Sequence, residues 1–207
     1  MPRPRLQPGT VVGVAEHGNS VVLVTLSREG VLLDRRTVDL THDLPTHPYH
    51  HEGSWAVGRY LDSPWSREIT LPDAIALVER VHKAAAVGAH EALDELTASL
   101  SNPIDSISIR ICPKLPATIE ERIIDTRVAS LADSVMYREA LATAAVARDW
   151  SVHWYDRDRV AENAAQALRD KDVELFLRAM GQAIGPPWQA KHKLAARAAL
   201  AAMRLPA

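Results

Sequence analysis

The sequence predicts an α/β fold: a mixed five-stranded sheet, three antiparallel strands followed by two parallel ones, flanked by helices. Three observations carry this expectation. The first forty residues hold three apolar, β-branched runs separated by turn chemistry. Two long stretches of helical periodicity then alternate with two further strand-like runs. Strands joined through helices of that length enter the sheet in parallel, because a parallel pair needs a crossover of about a dozen residues or more.

Each element has its own signal. Val11-Val-Gly-Val14 and Val21-Val-Leu-Val-Thr-Leu26 are short and continuously apolar, as strands buried on both faces are, and His17-Gly-Asn-Ser20 turns the chain between them. Arg28-Glu-Gly30 makes a second turn into Val31–Leu40, where Thr37 and Asp39 alternate with Val38 and Leu40 as in a strand with one wet face. Residues 41–70 show no periodicity. This insert is instead rich in His, Trp and charge: His42, Asp43, His47, His50, His51, Glu52, Trp55, Arg59, Tyr60, Trp65 and Arg67. A structureless stretch of that length within one domain is usually functional or disordered, and its aromatics argue against disorder.

A helix is expected from Thr70-Leu-Pro-Asp73, which combines a hydroxyl cap, an early proline and an acid in the first turn, to about residue 98. Ser106–Cys112 alternates as a fourth strand. Thr118-Ile-Glu-Glu121 is a capping box, and Ile124, Val128, Leu131 and Val135 carry a single helix on to about Arg148. Ser151–Tyr155 is a fifth strand, short helices cover 159–169 and 172–183, and Gly185-Pro-Pro-Trp188 halts the chain. The last helix, Gln189 to about Met203, is nearly all Ala on one side, which permits close approach to a sheet.

Composition narrows the function classes. The 207 residues suit one domain over 11–203, with an extended lead-in at 1–10 and a loose tail at 204–207. Lys and Arg number 24 against 26 Asp and Glu, a net charge of −2 that excludes a polybasic coat protein for nucleic acid and an acidic tail. The single cysteine, Cys112, excludes an internal disulfide and a Cys-based zinc cage, and points to a cytoplasmic chain with a packed thiol. No apolar run approaches the roughly 20 residues of a membrane span, and the basic N-terminus lacks the apolar segment of a signal peptide.

In element order, and in Val12-Gly13-Val14 on the first strand and an Ala-rich last helix opened by His192, the chain resembles the ribonuclease H-like superfamily, in the style of RuvC-type resolvases, over about residues 11–203. The resemblance implies a fold that cuts or rearranges nucleic acid with two metal ions about 4 Å apart, held by carboxylates of the first strand, the fourth strand and the last helix. At those stations this chain departs from the pattern. Ala15 stands where the first acid would fall, with Glu16 one place on. The fourth strand offers Arg110 and Cys112, and the last helix has His192 with Ala195 one turn further.

Glu16, at the carboxyl end of a central strand, is the acid best placed for a catalytic role, and His192 is its candidate partner. His47-Pro-Tyr-His-His-Glu52 has the residue types for a divalent metal or for proton transfer, but adjacent His50 and His51 diverge in direction, and the spacing matches no established metal motif. A hydrogen-bonded polar loop is the plain alternative. Trp55, Arg59, Tyr60, Trp65 and Arg67 are either a base-stacking platform or a satellite core. Lys191, His192, Lys193 and Arg197 put positive charge on the last helix, for phosphate or simply for solvent. Arg110, inside an apolar strand, needs an acidic partner if buried. Asp156 and Asp158 either join the site or, for Asp158, cap the following helix.

Three functions fit these features. The leading one is a ribonuclease H-like module without the standard carboxylates that binds nucleic acid or nucleotide, with the 41–70 insert and the His192 helix as its binding edge: His50, His51, Glu52, Trp55, Arg59, Lys191 and Arg197. The second is a divergent nuclease using Glu16, His192 and the His50–Glu52 segment around a non-standard divalent metal. The third is a structural or homo-oligomeric protein whose Ala-rich helix and exposed Trp residues form partner surface.

Overall fold

Two hairpin turns set the first three strands side by side: β1 (Thr10–His17), β2 (Ser20–Ser27) and β3 (Leu32–Asp39), with β1 pairing β2 and β2 pairing β3 antiparallel. In the computed structural model, which describes residues 9–169 and 172–203, the remaining elements are α1 (Glu52–Ala56), α2 (Leu71–Ser99), β4 (Ile104–Arg110), α3 (Ile119–Ile124), α4 (Thr126–Val146), β5 (Ser151–Tyr155), α5 (Val160–Ala167), α6 (Val173–Ile184) and α7 (Ala190–Ala202). The expected lead-in therefore falls almost wholly, and the expected tail wholly, outside the described residues. β4 joins β1 in parallel and β5 joins β4 in parallel, giving the sheet order β3-β2-β1-β4-β5. This is the mixed five-stranded α/β architecture that the sequence predicts.

The continuous apolar run of β1 is explained by burial on both sides. Alternation sends Val12 and Val14 to one face, where they join Leu23 and Ile107 beneath Val78, Val81 and Leu93 of α2 and Met136 and Leu141 of α4. Val11 and Ala15 point to the other face, with Val22 and Val24, against Ala195, Ala196 and Ala199 of α7. The small side chains bring helix and strand so close that a Cβ on Gly13 would lie 1.9 Å from the Ala195 carbonyl oxygen. The Ala side of α7 is thus used within the chain and is not partner surface. No described helix is long and apolar enough to cross a membrane.

The helix starts follow their caps. Thr70 Oγ1 accepts the Asp73 N–H at 3.3 Å, and Thr118 and Glu121 form the reciprocal capping box. Three expectations need correction. The helix expected from 118 to 148 is two helices, because Asp125 leaves helical geometry and caps α4 by accepting the Arg127 N–H at 2.9 Å. Its buried face is also turned: Ala129, Ala132 and Met136 face the core, whereas Ile124 and Leu131 are exposed. The fourth strand begins two residues earlier than expected and ends at Arg110, so Cys112 lies beyond it, half-buried.

The 41–70 insert is not structureless. It carries α1 and packs against α2, α3 and α4, with Tyr49 fully buried and Trp55 nearly so. Its anchor is Asp133 of α4, whose carboxylate accepts the backbone N–H groups of Tyr49 at 2.9 Å and His50 at 3.1 Å. Tyr137, one turn on, donates its hydroxyl to the Thr46 carbonyl at 2.9 Å. Arg59 closes the far side by donating to the carbonyls of Ile123, at 3.0 Å, and Ile124.

Candidate anion-binding site

The carboxyl ends of β1, β4 and β5 meet at one edge of the sheet, the position where open α/β folds assemble their sites. Glu16 stands there. It shares the parity of Val12 and Val14, so its side chain leaves β1 toward α4 rather than toward α7. Arg138 of α4 meets it, with Nε at 2.8 Å and Nη2 at 2.5 Å from Oε1, while its Nη1 donates to the Ile111 carbonyl at 3.0 Å. Both side chains are buried, so each is the main compensation for the other's charge.

Three more cations surround this pair. Arg110, the last residue of β4, places Nη1 4.0 Å from Glu16 Oε1, beyond hydrogen-bond reach. Lys191, in the first turn of α7, donates from Nζ to the Glu16 carbonyl oxygen at 2.7 Å. Arg157, in the loop after β5, is exposed and has no hydrogen-bond or ion-pair partner among the described residues. Burial holds the Lys191 ammonium below its ordinary pKa. Glu16 works against that shift, while Arg157, Arg110 and Arg138 reinforce it. Four positive side chains thus gather around the Glu16 carboxylate, with Asp156 and Asp158 on either side of Arg157 in the chain.

Beside them lies a pocket of about 390 Å³, lined by Arg110, Ile111, Cys112 and Pro113, by Leu131, Ser134 and Arg138 of α4, and by Asp156, Arg157 and Asp158. Asp156 is turned back on its own loop, accepting the Asp158 N–H at 2.8 Å. Asp158 does not cap α5; Arg159 holds that position without a side-chain bond. Burial pushes the Cys112 thiol above its usual pKa, with Arg138 pulling the other way, which disfavours the thiolate form that would act as nucleophile. Such a pocket, lined by both cationic and apolar side chains, is suited to bind an organic anion.

The other residues singled out in the sequence are dispersed. Lys191 belongs to this edge. His192, buried on α7, packs its ring near Trp188, and its Nδ1 accepts the Gln189 N–H at 3.2 Å, so it caps its own helix. Burial lowers its pKa, and Arg35 adds to the effect. Arg197 pairs with Glu174 of α6. His50, His51, Glu52 and Trp55 sit on the insert, where His51 stacks on Trp55 at 6.1 Å between ring centroids and lies 5.3 Å from both His47 and His50. Glu52 has its carboxyl pushed up by burial, and Oε2 is buried without a hydrogen-bond partner. Among the described residues no group of three or more His, Cys, Asp or Glu is placed to hold a metal ion.

Arg138, Arg157 and Asp133 escaped the sequence reading. Arg138 follows Val135 by three residues and so continues an apolar stripe, which is the signal that could have found it: a charge on a buried face demands a buried partner. Asp133 and Arg157 carry no such signal, since only the folded chain shows what faces them.

No protein-family model and no curated protein sequence matches the chain. Solved structures do match it in fold. Thermus thermophilus RuvC in complex with a Holliday junction substrate aligns with a TM-score of 0.53 and 13% identity, over 93% of this chain and 91% of that one. Another Thermus thermophilus RuvC structure aligns with a TM-score of 0.50 and 14% identity over the same shares. The chain has a ribonuclease H-like fold of the RuvC type.

Proposed function

We propose that the chain is a nucleic-acid-associated or nucleotide-binding module, acting as one unit over residues 11–203, that grips phosphate at the arginine-lined pocket and lacks the two-metal carboxylate set of its fold. The observation that carries this reading is the exchange of charge at the sheet edge. Where the fold's nucleases gather carboxylates, this chain has Ala15 packed among alanines of α7, Arg110 at the end of β4, and His192 engaged as a helix cap with Ala195 buried beside it. Such a donor set does not suit two divalent cations. A guanidinium is instead suited to phosphate, which it can bind through two parallel hydrogen bonds.

The residues divide the work. Arg138 is fixed by Glu16 and the Ile111 carbonyl and so presents charge at little entropic cost. Arg110 and Arg157 are free to close on a ligand. Glu16 is a positioning residue: it orients Arg138 and keeps four cations tolerable in one place. The fold neighbour bound to a Holliday junction supports nucleic acid as the source of the phosphate.

Fluorescence anisotropy with a labelled oligonucleotide at falling salt tests the reading. Binding at ~50 mM salt is expected, weakening as salt rises through release of counterions. Replacing Arg110 and Arg157 together by Ala is expected to lower the slope of log affinity against log salt by about two, roughly one for each phosphate-binding side chain removed. Absence of binding at ~50 mM salt would overturn the proposal.

A further inference from the structure

We infer that the pocket takes a terminal phosphomonoester, at the end of a strand or on a free nucleotide, rather than a phosphodiester inside a chain. The inference rests on the phosphate-binding reading above and narrows it to one ligand chemistry.

Limited extent is the first argument. The space is walled by three separate segments: the residues following β4, the Leu131–Arg138 face of α4, and the loop carrying Arg157. Its volume of about 390 Å³ is near the lower end of small-molecule sites, which span roughly 300–1,000 Å³. A channel that follows a nucleic-acid backbone runs open at both ends so that successive phosphates can be held. A site of this size, bordered by three elements and open to solvent over part of its boundary, accommodates about one nucleotide.

The second argument is donor supply. Arg110 and Arg157 each present five N–H donors, and neither has a hydrogen-bond partner among the described residues. A monoester carries a charge of about −1.5 to −2 and three strong acceptor oxygens. An internal diester carries a single charge and has fewer free oxygens, so it would leave more of these donors without partners. Glu16 is hydrogen-bonded by Arg138 and lies 4.0 Å from Arg110, and Asp156 accepts from its own turn. Among the described residues neither Asp156 nor Asp158 pairs with Arg157, so the donors of both guanidiniums stay open to a ligand.

The apolar lining supplies the third. Ile111 is 54% exposed and Leu131 46% exposed, and Pro113 also lines the space. Bare inorganic phosphate would leave this apolar surface wet. A sugar or base attached to the phosphate would cover it.

Three internally labelled oligonucleotides of one sequence decide the matter when titrated against the full chain: one with a 5′-phosphate, one with a 3′-phosphate and one with hydroxyls at both ends. We expect at least one phosphorylated end to bind ten-fold or more tightly than the hydroxyl form, and adenosine monophosphate, but not adenosine, to displace it. The Arg157→Ala variant, altered only at an exposed loop position, should lose most of that advantage. Equal binding of all three strands, with no displacement by adenosine monophosphate, would overturn this inference and leave the phosphate-binding reading standing. Failure of all three to bind would overturn both. Displacement by the monophosphate with no difference among strand ends would also overturn the strand-end arm and leave a free nucleotide as the ligand.

Discussion

Glu16 and Arg138 are each tolerable in the interior only because of the other. Removing one member of a buried ion pair leaves an uncompensated charge, at a cost of about 3–5 kcal/mol. Glu16→Ala should lower stability to chemical denaturation by about that amount, while Arg110→Ala, which removes a half-exposed side chain outside hydrogen-bond reach, should lower it far less. A second buried acid makes a pH-dependent contribution. Burial pushes the Asp133 carboxyl up to about 8, opposed by the Tyr49 and His50 N–H groups and reinforced by Glu52. The folded chain therefore keeps a proton that the unfolded chain releases near 3.8, and this contribution is complete below that pH and lost as pH rises toward about 8. His47, 3.8 Å from the Asp133 carboxylate, has its pKa lowered by burial, aided by His51, His50 and His17, and so destabilises the fold only below about its ordinary 6.5. Between about pH 6.5 and 8 the Asp133 slope stands alone of the two. Thermal unfolding of Asp133→Asn should show that fall in stability removed; an unchanged slope would assign it to other groups.

At the scale of elements, α7 and β1 approach to backbone contact at Gly13. A Cβ at Gly13 would meet the Ala195 carbonyl oxygen at 1.9 Å and the Ala199 nitrogen at 2.6 Å, and backbone atoms cannot swing aside as the tip of a long side chain can. Gly13→Ala should therefore cost about 3 kcal/mol or more, read as a lowered Tm, since overpacking forces the two elements apart. The strands, both turns, and the caps at Thr70 and Thr118 were all legible in the sequence, because each depends on neighbours a few residues away. The break at Asp125 was obscured by apolar residues at Ile124 and Val128 that mimic one continuous stripe, although an Asp before Thr and Arg is itself an N-cap signal. The insert defeated periodicity for another reason: its order comes from one buried carboxylate and a tyrosine hydroxyl on α4, both more than eighty residues away.

For the molecule as a whole, the net charge of −2 conceals a local excess of positive charge. Two guanidiniums and an ammonium converge with Arg138 on one end of the sheet, where Glu16, Asp156 and Asp158 balance them only in part. On the proposed reading, attraction for a phosphate is therefore short-ranged, and binding should fall steeply with salt without the strong long-range steering of a basic protein. Because no carboxylate set among the described residues is placed to hold ions at this edge, the proposed oligonucleotide binding should be unchanged by excess EDTA. A loss of affinity restored by Mg²⁺ or Mn²⁺ would show that metal bridges the phosphate after all.

The sequence by itself determined the strands and their directions in the sheet, because alternation, helical spacing and crossover geometry are local rules applied along the chain. Only the tertiary structure decided which charges meet. It turned Glu16 toward α4, engaged His192 as a cap, paired Arg197 with Glu174 and gathered Arg110, Arg138, Arg157 and Lys191 from four segments. The reason is physical: a charge acts over a few ångströms of space, and residues 122 apart in sequence, like Glu16 and Arg138, become neighbours only when the sheet and helices have packed.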